Sequence, residues 1–182
     1  MHQKMDYKLS ITILLASIFG ICWGDKVSYT HSVASATENL LGVNCIADVI
    51  YDVEDTFAEF IYKVEVCGEK TLDSLSTIVD DVDELVAITI KIIDYNDKEC
   101  NNAAYKEDED AQKKPSLSCK AKLIRQMERL RSYAEETNEN ISMLENMNSC
   151  ATMALVDLQL GLRKLPELVN TCGKLAEKVP SN

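Results

Sequence analysis

Four stripes of apolar residues run along the chain, each stepping by alternate threes and fours. The first is Val43, Ile46, Ile50, Val53, Phe57, Phe60, Val64 and Cys67. The second is Leu75, Val79, Val82, Val86, Thr89 and Ile93, widened by Ile78, Leu85 and Ile92. The third is Leu123, Met127, Leu130, Ala134, Thr137, Ile141 and Leu144. The fourth is Ala151, Leu155, Leu158, Leu162, Leu165, Val169, Cys172 and Ala176. This spacing keeps one face of a helix turned toward other helices. Val86–Ile93 is rich in Ile and Val and admits a strand. Charged and apolar residues from Leu72 to Asp94 follow a helical period rather than alternation, so helix is preferred.

Punctuation between the stripes sets the topology. Gly68 is a candidate C-cap for the first helix, and Thr71 is a candidate N-cap for the second. Stripes three and four share a register across Asn146-Met147-Asn148-Ser149. One helix over 119–176 would be about 85 Å long. A turn at this cluster is preferred, capped by Asn148 or Ser149. Residues 101–118, with Glu107-Asp108-Glu109-Asp110 and Pro115, form the one long linker, and Ser116 or Ser118 can cap the third helix. Pro166 should kink the fourth helix or restart it. Short connections favour antiparallel neighbours. The expected fold is all-α: an elongated up-down antiparallel bundle of about four main helices in a single domain over 43–182. Residues 25–42 are a polar lead-in, partly helical.

The N-terminus adds a compartment. Lys4 and Lys8 precede an uncharged run from Leu9 to Gly24, with Cys22 and Gly24 at −3 and −1 if cleavage falls before Asp25. This is the layout of a signal peptide over 1–24. The run is shorter than the roughly 20 residues that span a bilayer. Cleavage would leave 158 residues, no Trp, His31 as the one His, and six of the seven Cys. A secreted, extracellular protein with no membrane span is expected.

Six Cys in a secreted chain predict three disulfides, and fifteen pairings exist. Geometry narrows them. Cys45 to Cys67 and Cys150 to Cys172 are both 22 residues apart, about 33 Å along a helix. If the first and fourth helices are antiparallel neighbours, Cys45 meets Cys172 and Cys67 meets Cys150. Cys100 and Cys119 then close the linker. No C-x-x-C or C-x-x-H spacing supports a metal or redox site.

Composition removes further classes. Three Pro and six Gly are few for a β-sandwich. The acidity is uneven: residues 25–110 carry net −15 and residues 111–182 carry +3. The acidic first hairpin is expected to pack beside Lys120, Lys122, Arg125, Arg129 and Arg131 at the start of the third helix. A polarised surface for a partner is the sharper alternative. Nucleic acid and anionic membranes are poor partners for such a body. Asp80-Asp81-Val82-Asp83-Glu84 lacks the Gly-centred loop of an EF-hand and reads as a solvated helix face. One His in a lead-in leaves a Ser-His-Asp or Cys-His mechanism without a placed base. Phosphate-loop and H-E-x-x-H motifs are missing too. No enzyme, cofactor or metal is expected. Asn140-Ile141-Ser142 is an N-glycosylation sequon, with Asn140 as the acceptor.

The signal peptide, the dispersed Cys and the amphipathic run from Cys119 through Cys150 to Cys172 resemble small secreted insect helical proteins of the TsetseEP-domain kind. That resemblance implies an extracellular role in gut, immune or secretion biology, and no catalysis. The function expected is a secreted, non-enzymatic helical protein acting on an extracellular protein or surface. The alternative is a carrier of a small apolar molecule within the bundle, on the face bearing Ile78, Leu85, Ile90 and Ile92.

Overall fold

A computed structural model describes residues 28–145 and 147–179. The signal-peptide reading at 1–24 and Asn146 lie outside them. The described residues are helical and hold no strand. Helix α1 covers 28–36. It is followed by α2 (Leu40–Val66), α3 (Glu69–Ser74) and α4 (Ser76–Asp94). A π-helical turn (Tyr95–Glu99) leads to α5 (Glu107–Asp110), α6 (Leu117–Ser142) and α7 (Ser149–Glu177).

Four long helices form the expected up-down bundle. Packing neighbours run α2 to α4, α4 to α6, α6 to α7 and α7 back to α2. Each main helix is about 29 to 44 Å long at 1.5 Å per residue, so the bundle is elongated. Stripes one, three and four supply the core almost residue for residue. Phe57 and Phe60 of α2, Leu123, Met127 and Leu130 of α6 and Leu158 of α7 are fully enclosed.

The second stripe sits differently. Leu75, Ile78, Val82, Leu85, Ile88, Thr89 and Ile92 are the buried set, while Val79, Val86 and Ile93 flank it. The Ile/Val-rich stretch offers two overlapping helical stripes, and packing against both α2 and α6 selects the one centred on Leu85. Thr71 is not the N-cap. It lies inside α3, buried, and its hydroxyl donates to the Cys67 carbonyl. Gly68 follows the C-cap of α2 with φ +92°, a backbone that a side chain would strain. Its conformation turns the chain at once into the short α3.

The caps of α6 and α7 follow the local chemistry. Ser116 accepts from the Cys119 N–H, and Asn148 accepts from the Ala151 N–H. Helix α7 runs unbroken through Pro166, so the expected restart does not occur. Burial of Leu162, Leu165 and Val169 on either side holds the helix together despite the missing N–H.

The lead-in is more ordered than its polar composition suggests. Tyr29, Val33 and Ala36 are buried at four- and three-residue spacing on α1. The Tyr29 hydroxyl donates to the Met127 carbonyl of α6 at 3.1 Å. Asn39 caps α2 by accepting from Gly42, and its amide donates to the Ala176 carbonyl of α7. The linker also has a structural task. The carbonyls of Lys113 and Ala111 accept from Leu40 and Leu41, so 101–118 satisfies N–H groups that the start of α2 would otherwise leave unpaired.

Candidate functional site

The cysteines occupy the two ends of the α2–α7 pair. Cys45 is bonded to Cys172 and Cys67 to Cys150, with Cα separations of 5.5 and 5.8 Å. Cys100, just after the π-helical turn, is bonded to Cys119 in the first turn of α6. The three bridges are nested in sequence: 45–172 encloses 67–150, which encloses 100–119. All six thiols of the described residues are consumed, and none serves as a nucleophile or metal ligand.

The charge asymmetry of the sequence becomes a side of the bundle. Helices α2 and α4 are neighbours and carry net −9 between them, from 11 carboxylates and two lysines. Helix α6 carries net +1 and α7 is neutral. Some of the chain's acid is met by cations of α6. Lys122 pairs with Glu99 at 2.5 Å, Arg129 with Glu84 at 3.5 Å, and Lys120 with Glu38. Lys122 beside it holds the Glu99 carboxyl below the usual range. Lys63 joins Glu59 to Asp157 of α7, 2.6 Å from each. Among the described residues, no lysine or arginine pairs with Asp55, Glu65, Asp80 or Asp83.

The acidic run at 80–84 is thus divided. Asp81 accepts from the Asn140 amide at 2.8 Å, Glu84 faces Arg129, and Val82 enters the core. Among the described residues no group of three or more His, Cys, Asp or Glu is placed to hold a metal ion. The sequon residue Asn140 sits in the last turn of α6, half-buried against α4 through that Asp81 contact. His31 is exposed on α1.

One polar cleft of about 510 Å³ opens between α1, α6 and α7. Arg131 is nearly buried there. Its Nε donates to Glu135 at 2.6 Å, and its guanidinium lies over the Tyr29 ring, 5.0 Å from the centroid. Burial pushes the Tyr29 phenol well above its ordinary value, and Arg131 partly opposes the shift. The buried Asn138 Oδ1 on the same wall has no donor among the described residues. Sequence reading missed this cleft because it depends on α1. The only signal was the Tyr29-Val33-Ala36 spacing, too short to stand out.

The face considered for an apolar ligand is split by the bundle. Ile78, Leu85 and Ile92 are fully enclosed in the core, whereas Ile90 is 56% exposed. No helix among the described residues is long and apolar enough to cross a membrane. Comparison with protein-family models, curated proteins and solved structures finds no match.

Proposed function

We propose that this chain is a secreted, non-enzymatic interaction protein that works through its surface in an extracellular fluid. The observation that carries the reading is the acidic side formed by α2 and α4, mounted on a bundle whose α2–α7 pair is cross-linked at both ends. Disulfides persist in oxidising compartments, which agrees with the export signal read at 1–24. A surface charged on one side steers partners of opposite charge and repels others. Asn140 is the expected glycan acceptor.

The test is expression of the full chain with a C-terminal tag in secretory cells. The expected product appears in the medium with Asp25 as its first residue, no free thiols and no tryptophan fluorescence. Treatment with an N-glycan amidase should lower its mass, and Asn140→Gln should abolish that shift. Cross-linking in extracellular fluid should then join the protein to a polypeptide partner. Retention inside the cell, or turnover of a hydrolase substrate panel by the purified product, would overturn the reading. Recovery of a stoichiometric lipid on solvent extraction would favour a carrier instead.

A further inference from the structure

The acidic side is not uniformly polar. Between α2 and α4 lies an open groove of about 490 Å³ whose walls are almost entirely carbon. Phe57 forms its floor, Ile61 and Val86 are half-buried walls, and Tyr62 stands 66% exposed at the rim. Glu54 and Glu65 bracket it along α2, 11 residues and about 17 Å apart. The Glu54 carboxylate is fixed by the Thr89 hydroxyl of α4, 2.9 Å away. One turn beyond Val86, Ile90 extends the apolar surface along the same face of α4.

We infer that this groove docks a cationic, amphipathic peptide segment of a partner protein, about three helical turns long. The inference rests on the interaction-protein reading and names the partner's chemistry. Charge complementarity decides the occupant. The two helices that form the groove carry net −9, and Asp55, Glu65, Asp80 and Asp83 have no cation across from them among the described residues. A second copy would bring its own Glu54 and Glu65 against this face, and an anionic lipid surface would be repelled. A free apolar molecule would leave the carboxylates at both ends unmatched. A helix with Leu or Phe on one face and Lys or Arg on its flanks satisfies both the carbon walls and the acidic ends.

The test uses the oxidised, secreted protein and three fluorescent peptides of about 12 residues, long enough to span the bracketing glutamates. One is a Lys/Leu amphipathic helix, one has Leu replaced by Gln at unchanged charge, and one has Lys replaced by Glu. Anisotropy titrations should show saturable, one-to-one binding of the Lys/Leu peptide. The Lys/Gln peptide should bind at least about tenfold more weakly, and the Glu/Leu peptide not at all. Tyr62→Ala with Ile90→Ser, and separately Glu65→Lys, should each weaken the Lys/Leu peptide at least about fivefold. All three side chains are exposed, so thermal unfolding should be unchanged. Met153→Ser with Leu160→Ser on the exposed face of α7 should leave affinity unchanged.

Equal binding of the Lys/Leu and Lys/Gln peptides, or groove variants that bind like the parent, would overturn the inference. So would sedimentation showing a dimer that Tyr62→Ala dissolves, or oleate binding that the same substitution removes while no peptide binds. A secreted protein that cross-links to a partner through another face would defeat the groove while leaving the interaction reading intact. A protein that is never secreted would defeat the reading itself.

Discussion

Removing the outer bridge by Cys45→Ala with Cys172→Ala tests the nested cross-linking directly. The bridge closes 127 residues, but with Cys67–Cys150 intact the unfolded chain is already closed over 83 of them. The loop released is 127 less 83, or 44 residues. Chain entropy assigns a loop of that length about 4 kcal/mol, against about 5 for the full 127. Truncating the fully buried Cys172 adds on the order of 1 kcal/mol for the space it vacates. Denaturant unfolding of parent and variant, both with the other bridges intact, should therefore differ by about 4 to 5 kcal/mol. The dependence on denaturant should steepen, because the released unfolded chain exposes more surface. A loss below about 1 kcal/mol with no change in that slope would refute the nested-loop reasoning. The inner bridge, which releases 83 less 19 residues, should cost a similar 4 kcal/mol or so. Full reduction thus removes about as much as a typical domain's whole stability, and helical circular dichroism should collapse under reductant at 37 °C.

Single contacts give four further expected outcomes. Tyr29→Phe deletes the buried donor to Met127 and should cost about 1 kcal/mol at neutral pH. Above pH 10 the unfolded phenol ionises while burial holds the folded one protonated, so stability falls as pH rises; the Phe variant should fall less steeply, and parallel melting curves would count against this. Gly173→Ala places a Cβ 2.8 Å from the Ser32 carbonyl oxygen and 3.2 Å from its Cα. That backbone must move, so the variant should lose about 1 to 3 kcal/mol and exchange amides faster over 28–36. Asn148→Ala removes the α7 cap together with a hydrogen bond to Thr71, for a loss of about 1 to 2 kcal/mol by chemical denaturation. Lys122→Ala should raise the Glu99 carboxyl toward its ordinary value in an NMR titration, since that lysine is the main cause of its depression.

Legible in the chain was whatever a single helix can state about itself. Stripes three and four predict the buried faces of α6 and α7, because each repeats over about six or seven turns with one dominant phase. The 22-residue cysteine spacing survives because a helix is a ruler: two equal lengths on antiparallel neighbours bring their ends together. Where two phases compete, the helix cannot choose alone. In α4 the Val79-Val86-Ile93 phase and the Ile78-Leu85-Ile92 phase are equally apolar, and only the position of α2 and α6 makes the second one core. Thr71 failed as a cap for a related reason. Cap chemistry is local, but burial against Asn148 of α7 is not.

The same limit explains why neither candidate binding feature was visible beforehand. A core stripe is read from residues in phase; a surface groove is built from residues out of phase. Tyr62 and Ile90 lie outside their helices' buried sets. In isolation each is an ordinary exposed hydrophobe of the kind every surface carries. They become one feature only when α2 and α4 are antiparallel and in the register that brings Thr89 to Glu54. Acidic density was legible as composition, yet its meaning depends on the same register. Placed on adjacent helices, the charge surrounds a carbon-walled groove; placed on opposite corners of the bundle, the same residues would be two unrelated solvated faces. The pairing of α2 with α4 therefore turns a compositional bias into a binding geometry. Disturbing that register at Thr89, with Thr89→Val, should weaken cationic-peptide binding although no residue of the groove wall is altered.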